Sequence, residues 1–355
     1  MKKYNFNAGP SMLPREVIEA TAAACLDFDG NGLSLMEISH RAKYFQPVVD
    51  EAVALTKELL DIPEGYEVIF LAGGASTEFC RVPYNFLEKK AAYLNTGVWS
   101  KKAMKEAQLF GETVEVASSA DTNYNYIPKG FDIPEDLDYL YICANNTIYG
   151  TEYKNDIDSS VPLIADMSSN ILSRPIDVSK YAMIYGGAQK NVGPAGATIV
   201  IIREDLIGHA DDSIPTYLDY KVHAENDSMY NTPPCYAIYV AGLVFKWVLE
   251  LGGLEKMKEM NEKKANLLYD YLDSQDYYFA PVKKDSRSMM NVTFVTGVEE
   301  LDKKFPKEAE KVGLMNLKGH RSVGGMRASI YNAMPYEGVE ALVEFMKEFA
   351  KNNPK

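Results

Sequence analysis

Cysteine, histidine and tryptophan are scarce in this chain of 355 residues, with four, four and two copies. The cysteines, Cys25, Cys80, Cys143 and Cys235, sit in apolar surroundings and none forms a CxxC pair. That leaves no disulfide framework and no cysteine-based metal site, so no metal is expected, and it fits a reduced, cytoplasmic protein. Long apolar runs are missing as well. The longest, Tyr236–Phe245, is far shorter than a bilayer requires. The opening MKKYNFNAGPSMLP lacks the apolar core of a signal peptide. Positive charge is in deficit, with 37 Lys+Arg against 50 Asp+Glu and a formal net charge of -13. That balance argues against a general nucleic-acid binder or a binder of anionic membranes. An anionic substrate would need its own local cluster of cations. There is no internal repeat, no low-complexity tract and no GxxxxGK phosphate loop. What remains, 46% hydrophobic and 25% charged, is an ordinary soluble globular composition, long enough for about two domains.

The most informative stretch present is Tyr181–Ile202, YAMIYGGAQKNVGPAGATIVII. The apolar run Tyr181–Tyr185 is expected to enter a turn at Gly186-Gly187. Lys190 follows within that turn. A second turn, Gly193-Pro194-Ala195-Gly196, leads into the apolar run Ala197–Ile202. A lysine held between two buried strands is desolvated, which lowers its pKa and makes it more nucleophilic. Those are the properties of a Schiff-base lysine. The ordinary alternative is a surface lysine in a loop.

Taken in order, residues 1–13 read as an extended arm, and Pro14 opens a helix. A second helix starts at Pro47. Val68–Leu71 reads as a strand that runs into Gly73-Gly74-Ala75-Ser76-Thr77, with a helix from Thr77-Glu78. Strand, glycine turn and helix start is the arrangement that aims free N–H groups at a phosphate, although this match is weak alone. Ala91–Leu94 is a strand candidate ending near Trp99, which is either a core aromatic or a surface for stacking a planar ring. Asp138–Cys143, Val161–Ala165 and Tyr181–Tyr185 are further strands. Their ends carry Thr147, Asp166 and Gln189-Lys190. Strands alternating with helices indicate a largely parallel sheet, whose ligands bind beyond the carboxyl ends of the strands. The four clusters are therefore expected to meet in one site.

Arg203–Asn226 reads as a polar surface excursion. Asn231-Thr232 precede Pro233-Pro234 and a helix apolar nearly all round, expected at a core or a subunit interface. Lys256–Leu272 is a charged amphipathic helix bridging to a second domain. Strands with turns follow from about Tyr278, and a last helix carries Val339, Leu342, Val343, Met346 and Phe349. Two of the four histidines precede an arginine, as His40-Arg41 and His320-Arg321, and Arg327 follows on the next strand. Either these are clamps for an anion, gripping carboxylate or phosphate by paired charge-assisted bonds, or they are structural ion pairs.

Six segments together make the chain resemble the phosphoserine aminotransferases, pyridoxal-phosphate (PLP) enzymes of the aspartate-aminotransferase-like fold. They are FNAGPSMLP at 6–14, SLMEISHR at 34–41, ADMSSNILSRPIDVSKY at 165–181, YGGAQKNVGPAG at 185–196, YNTPP at 230–234 and KGHRSVGGMRASIYNAMP at 318–335. The resemblance runs end to end. It implies an α/β fold, with a large PLP-binding domain of mostly parallel sheet flanked by helices (16–258). It further implies a smaller α+β domain (259–355) and an N-terminal arm (1–15) packing with that small domain.

It also implies PLP-dependent transfer of an amino group between glutamate and 3-phosphohydroxypyruvate in serine biosynthesis. The related phosphorylated 4-hydroxythreonine pair of pyridoxine synthesis is a further substrate of such enzymes. Lys190 would carry the cofactor, Asp166 pair with its ring nitrogen and Trp99 stack on the ring. Ala75, Ser76 and Gln189 would bind the phosphate, and Thr147 the ring hydroxyl region. Asn231 and Thr232 would reach the cofactor of the other subunit in a homodimer with shared sites. His40, Arg41, His320, Arg321 and Arg327 would hold the substrate's charged groups. The chain departs from the family pattern at Ala8, at Thr77-Glu78 and at Asn146. The competing readings are a desulfurase or lyase on the same fold, for which Cys235 would be the reactive thiol, and a non-catalytic binding protein.

Overall fold

The computed structural model describes residues 2–211 and 213–355. A short strand β1 (Tyr4–Asn5) opens the chain, and helices α1 (Arg15–Leu26) and α2 (Gln46–Leu59) follow. Pro14 and Pro47 stand at the two helix starts, where a missing N–H costs nothing. Next come β2 (Tyr66–Leu71), α3 (Ala75–Phe86), β3 (Lys90–Asn95), α4 (Val98–Ala107), β4 (Glu112–Ser118) and β5 (Tyr139–Cys143). A two-stranded ribbon, β6 (Asn145–Asn146) and β7 (Thr151–Glu152), precedes β8 (Leu163–Asp166), β9 (Met183–Gly187) and β10 (Thr198–Arg203).

Seven of these strands form one sheet in the order β2-β10-β9-β8-β5-β3-β4. Strands β4, β3, β5, β8 and β9 pair in parallel, whereas β10 runs antiparallel to both β9 and β2. The central strands are buried along almost their whole length, and they read as continuous apolar runs because both faces of the sheet are covered.

Three sequence-based expectations change here. Gly186 and Gly187 are not a turn. They are the last residues of β9, paired with Ile199 and Thr198. Gly186 passes the Ser168 backbone at van der Waals contact, 3.4 Å from where a Cβ would sit. Helix α3 begins at Ala75, two residues before the expected start, because Gly73 and Gly74 make the turn at φ 117° and 68°. Arg203–Asn226 is not merely a surface excursion: Tyr220 and His223 are buried in α5 (Tyr220–Ala224).

Helix α6 (Cys235–Glu250) lies in the main core beside α2, and α7 (Gly253–Asp273) follows it at once. Beyond it stand β11 (Asn291–Phe294), α8 (Glu299–Lys311), β12 (Leu314–Met315), β13 (Met326–Ser329) and α9 (Tyr336–Asn352). These elements build a second core around Phe294, Phe305, Leu342 and Met346, and Phe6 of the arm is part of it. The arm's β1 pairs in parallel with β12. Helix α7 serves both cores, with Leu254 and Met257 in the first and Ala265, Leu268 and Leu272 in the second. The expected domain boundary at 258/259 thus falls inside one unbroken helix. Among the described residues, no single helix is long and apolar enough to cross a membrane.

Candidate active site

Parallel pairing brings the chemistry together. Cys143 at the end of β5 lies beside Asp166 at the end of β8, and Asp166 lies beside Tyr185 on β9. The turn after β9 then carries Lys190 back over these ends. The result is a pocket of about 510 Å³ lined by Ala75, Ser76, Trp99, Thr147, Asp166, Gln189 and Lys190, with His320 and Arg327 in its wall. Four clusters widely separated in sequence therefore meet in one cavity.

The Lys190 amine donates to Thr147 Oγ1 at 2.7 Å. Its backbone carbonyl accepts from the Ser11 hydroxyl, and Ser11 N–H donates to the Gln189 carbonyl at 2.9 Å. The arm thus fixes the lysine turn from outside. Burial pushes the Lys190 amine below its usual pKa; the Asp166 carboxylate opposes this, while Arg327 adds to it. Burial pushes the Asp166 carboxyl up, against the Ser168 hydrogen bonds and the charge of Lys190. One oxygen of Asp166 accepts from Ser168 N–H at 2.9 Å. A buried carboxylate so sparsely satisfied stabilises a cation placed against it.

The other walls carry unmet polar groups. Helix α3 begins at Ala75 with Gly74 as an N-cap that offers no side-chain cap, and Gly74, Ala75 and Ser76 line the pocket, so its free first N–H groups make an anion site there. Among the described residues, the buried Trp99 Nε1 and Arg327 Nε find no hydrogen-bond partner. Arg327 Nη1 donates to the Thr147 carbonyl at 3.1 Å. His320 is pushed down by burial and by the charges of Arg327, Arg321 and Lys102. A flat, anionic group carrying a basic ring nitrogen fits this set of donors, carboxylate and indole.

Other expected residues lie elsewhere on this chain. Arg321 is exposed and faces a neighbouring cavity of about 800 Å³ between its loop and α8; His320 borders both cavities. His40 is half-buried with Nε2 unpartnered, Arg41 is exposed, and neither lines the pocket. Asn231 and Thr232 are exposed and also outside it.

The pocket also holds residues that the sequence reading passed over: Ala8, Gly9, Phe79, Cys143, Asn145, Ile148, Ser168 and Ser169. Cys143, Asn145, Ser168 and Ser169 lie at or within three residues of the ends of β5 and β8, which was the available signal. Cys235, the expected thiol of a desulfurase, stands at the start of α6 and does not line the pocket. The cysteine that does is Cys143, whose thiol is pushed well up by burial and then by Asp166, conditions that suppress a nucleophilic thiolate.

A model of the aminotransferase class-V family matches residues 3–342. The chain is 61% identical to the phosphoserine aminotransferase of Bacteroides thetaiotaomicron, covering 99% of each chain. It is 56% identical to that of Listeria monocytogenes, covering 98% of this chain and 96% of the relative. The solved phosphoserine aminotransferase from Bacillus circulans subsp. alkalophilus superposes with a TM-score of 0.97 at 49% identity, covering 99% of both. The PLP-bound phosphoserine aminotransferase of Trichomonas vaginalis gives 0.94 at 41% identity, covering 98% of this chain and 100% of that one. The chain belongs to the class-V aminotransferase family. Within that family, the relatives it matches end to end are phosphoserine aminotransferases.

Proposed function

We propose that this protein uses PLP to move an amino group from glutamate to 3-phosphohydroxypyruvate, giving O-phosphoserine and 2-oxoglutarate for serine biosynthesis. The observation that carries the reading is the meeting of Lys190, Asp166, Trp99 and the uncapped start of α3 in one pocket with a basic wall. The start of α3, with Ala75 and Ser76, and Gln189 would hold the cofactor's phosphate. Asp166 would keep the ring nitrogen protonated, Trp99 would cover the ring face, and Thr147 would sit at the ring hydroxyl. When bound, PLP supplies a sink for the electron pair left when the substrate loses its α-proton. Lys190, whose amine burial holds below its usual pKa, would accept that proton at Nζ and hold it for return.

Arg327 would take the α-carboxylate. His320 and Arg321 would take the distal group, which is a carboxylate in glutamate and a phosphate in the keto acid. One clamp serves both because a guanidinium pairs with either anion through two parallel bonds. His40-Arg41 and Asn231-Thr232 would complete the neighbouring site in a cytoplasmic homodimer. The same reading takes residues 1–15 as the arm, 16–258 as the large domain and 259–355 as the small one.

Arg321→Ala separates a substrate role from a cofactor role. Removing one charge-assisted pair should raise KM for the phosphorylated substrate roughly ten- to a hundredfold, with PLP affinity unchanged. An equal loss of both would count against the clamp. Supplying cysteine in place of glutamate should release no sulfide; steady sulfide release would favour the desulfurase reading instead.

A further inference from the structure

Three buried asparagines close on three consecutive backbone carbonyls. The Asn191 amide donates to the Ile171 carbonyl at 3.0 Å, Asn332 to Leu172 at 2.8 Å and Asn261 to Ser173 at 3.0 Å. Leu172 stands in the left-handed region at φ 60°, a conformation that a leucine keeps only where its surroundings impose it. The asparagines are also joined to one another. Asn191 Oδ1 accepts from the Asn332 N–H at 3.0 Å, and Asn332 Oδ1 accepts from the Asn261 amide at 2.9 Å. The Asn332 carbonyl accepts from Lys264 at 3.2 Å, so all four polar groups of Asn332 are engaged. Asn191 meets a carbonyl on one side and an N–H on the other, which fixes the sense of its amide.

This cluster lies between the two groups on which the site depends. Asn191 directly follows Lys190. The three carbonyls belong to the loop behind Asp166, where the Ile171 N–H donates back to the Met167 carbonyl at 2.8 Å. Asn332 comes from the segment after β13, and Asn261 from α7. On the other side of the lysine turn, Ser11 bonds the carbonyls of Gln189 and Lys190, so the backbone on both sides of the Lys190 Cα is held. We propose that Asn191 is a positioning residue for Lys190: it ties the lysine turn to the loop behind Asp166, and Asn332 and Asn261 fasten that tie to the second core. Without it the turn is free to shift, and the amine spends less time aimed into the pocket. The inference rests on the reading of Lys190 as the amine that takes the cofactor.

The test sets methylamine against Lys190 in the PLP-loaded protein. Methylamine nitrogen bonds the PLP carbon that Lys190 holds, Lys190 leaves as the free amine, and the incoming nitrogen's two protons end on the departing one. The methylamine concentration that displaces half of the Lys190 bond measures the effective concentration of the lysine amine. It is read as borohydride-fixed PLP on the Lys190 peptide by mass spectrometry. PLP affinity is measured separately in saturating methylamine, where Lys190 is no longer bonded. Asn191→Ala should lower the midpoint about tenfold, through the loss of two hydrogen bonds, and leave that affinity unchanged. An unmoved or higher midpoint overturns the proposal. So does a fall matched by an equal loss of PLP affinity, because that marks a general loosening of the pocket. If Asn191→Ala does not fold, Asn332→Ala decides, since it releases the Leu172 carbonyl and Asn261: a lowered midpoint at unchanged affinity supports the clamp, and any other result overturns it. A parent protein with no borohydride-fixed PLP on Lys190 would sink the cofactor reading and this inference with it, whereas a fixed parent with an unmoved variant sinks this inference alone.

Discussion

Asp166 is a carboxylate in a place that disfavours its charge, buried and bonded chiefly to Ser168. Such a group stabilises a protonated partner far more than a solvated carboxylate would. Asp166→Asn should therefore still bind PLP, but lose α-proton exchange with solvent by orders of magnitude; an unchanged exchange rate removes Asp166 from the chemistry. Lys264 shows the opposite case, a buried amine with no acid beside it, donating to the carbonyls of Tyr331 and Asn332 at 2.8 and 3.2 Å. Burial alone brings its pKa from 10.5 down to about 7. Between those values the unfolded chain holds a proton that the folded one has released, so Lys264 makes stability rise with pH. The slope is about 1.4 kcal/mol per pH unit. Below the folded value the contribution is level. Melting curves of the parent and Lys264→Met between pH 7 and 10 should diverge with that sign, and parallel curves would refute it. Lys190 and Asp166 were legible in the sequence because each ends an apolar run. Lys264 was not, because it lies in a charged helix among Glu262, Lys263 and other solvated residues, and only packing tells it apart.

Among the elements, α3 is held by a device that its sequence conceals. Glu78 and Arg81 have fully buried side chains bonded at 2.8 Å, and Tyr220 donates to Glu78 at 2.6 Å. Arg81 also lies over the rings of Tyr217 and Tyr220. The helix whose start lines the pocket is thereby tied to the segment leading to Asn231. Arg81→Met leaves Glu78 buried without its cation and should cost about 3–5 kcal/mol in urea unfolding. Adding Glu78→Gln should recover part of that loss; if the double variant is no more stable than the single, the pair is not what holds the helix. Strands β5, β8, β9 and β10 were readable as apolar runs. Strand β4 was not, because its residues are half-buried or exposed along its length. Helix α8 was hidden by Pro306 and by an apolar face reduced to Phe305 and Ala309. The direction of β10 also escaped the sequence, since a buried run reads the same in either sense.

For the whole molecule, the proposal of shared sites makes a quantitative demand. If Lys190 of one subunit works with Asn231 and Thr232 of its partner, two inactive variants can repair each other. Lys190→Ala mixed with Asn231→Ala/Thr232→Ala should form hybrids with one site bearing both defects and one bearing neither. Co-expression in equal amounts should return about a quarter of the parent's activity. Activity no greater than that of either variant alone would mean that each chain is self-sufficient. The net charge of -13 bears on the same scale: under the proposed reading an anion must be held locally, by Arg327 and the uncapped start of α3, against the field of so acidic a protein.

Helix α7 has a consequence for how this chain can be taken apart. It is a common beam of two buildings, sunk into the foundations of both, and it offers no hinge-like thread for a protease to find. A fragment starting at residue 259 would begin a third of the way along that beam and lose Leu254 and Met257, the residues that seat it in the first core. Dissection of this protein should therefore follow its cavities and not its numbering.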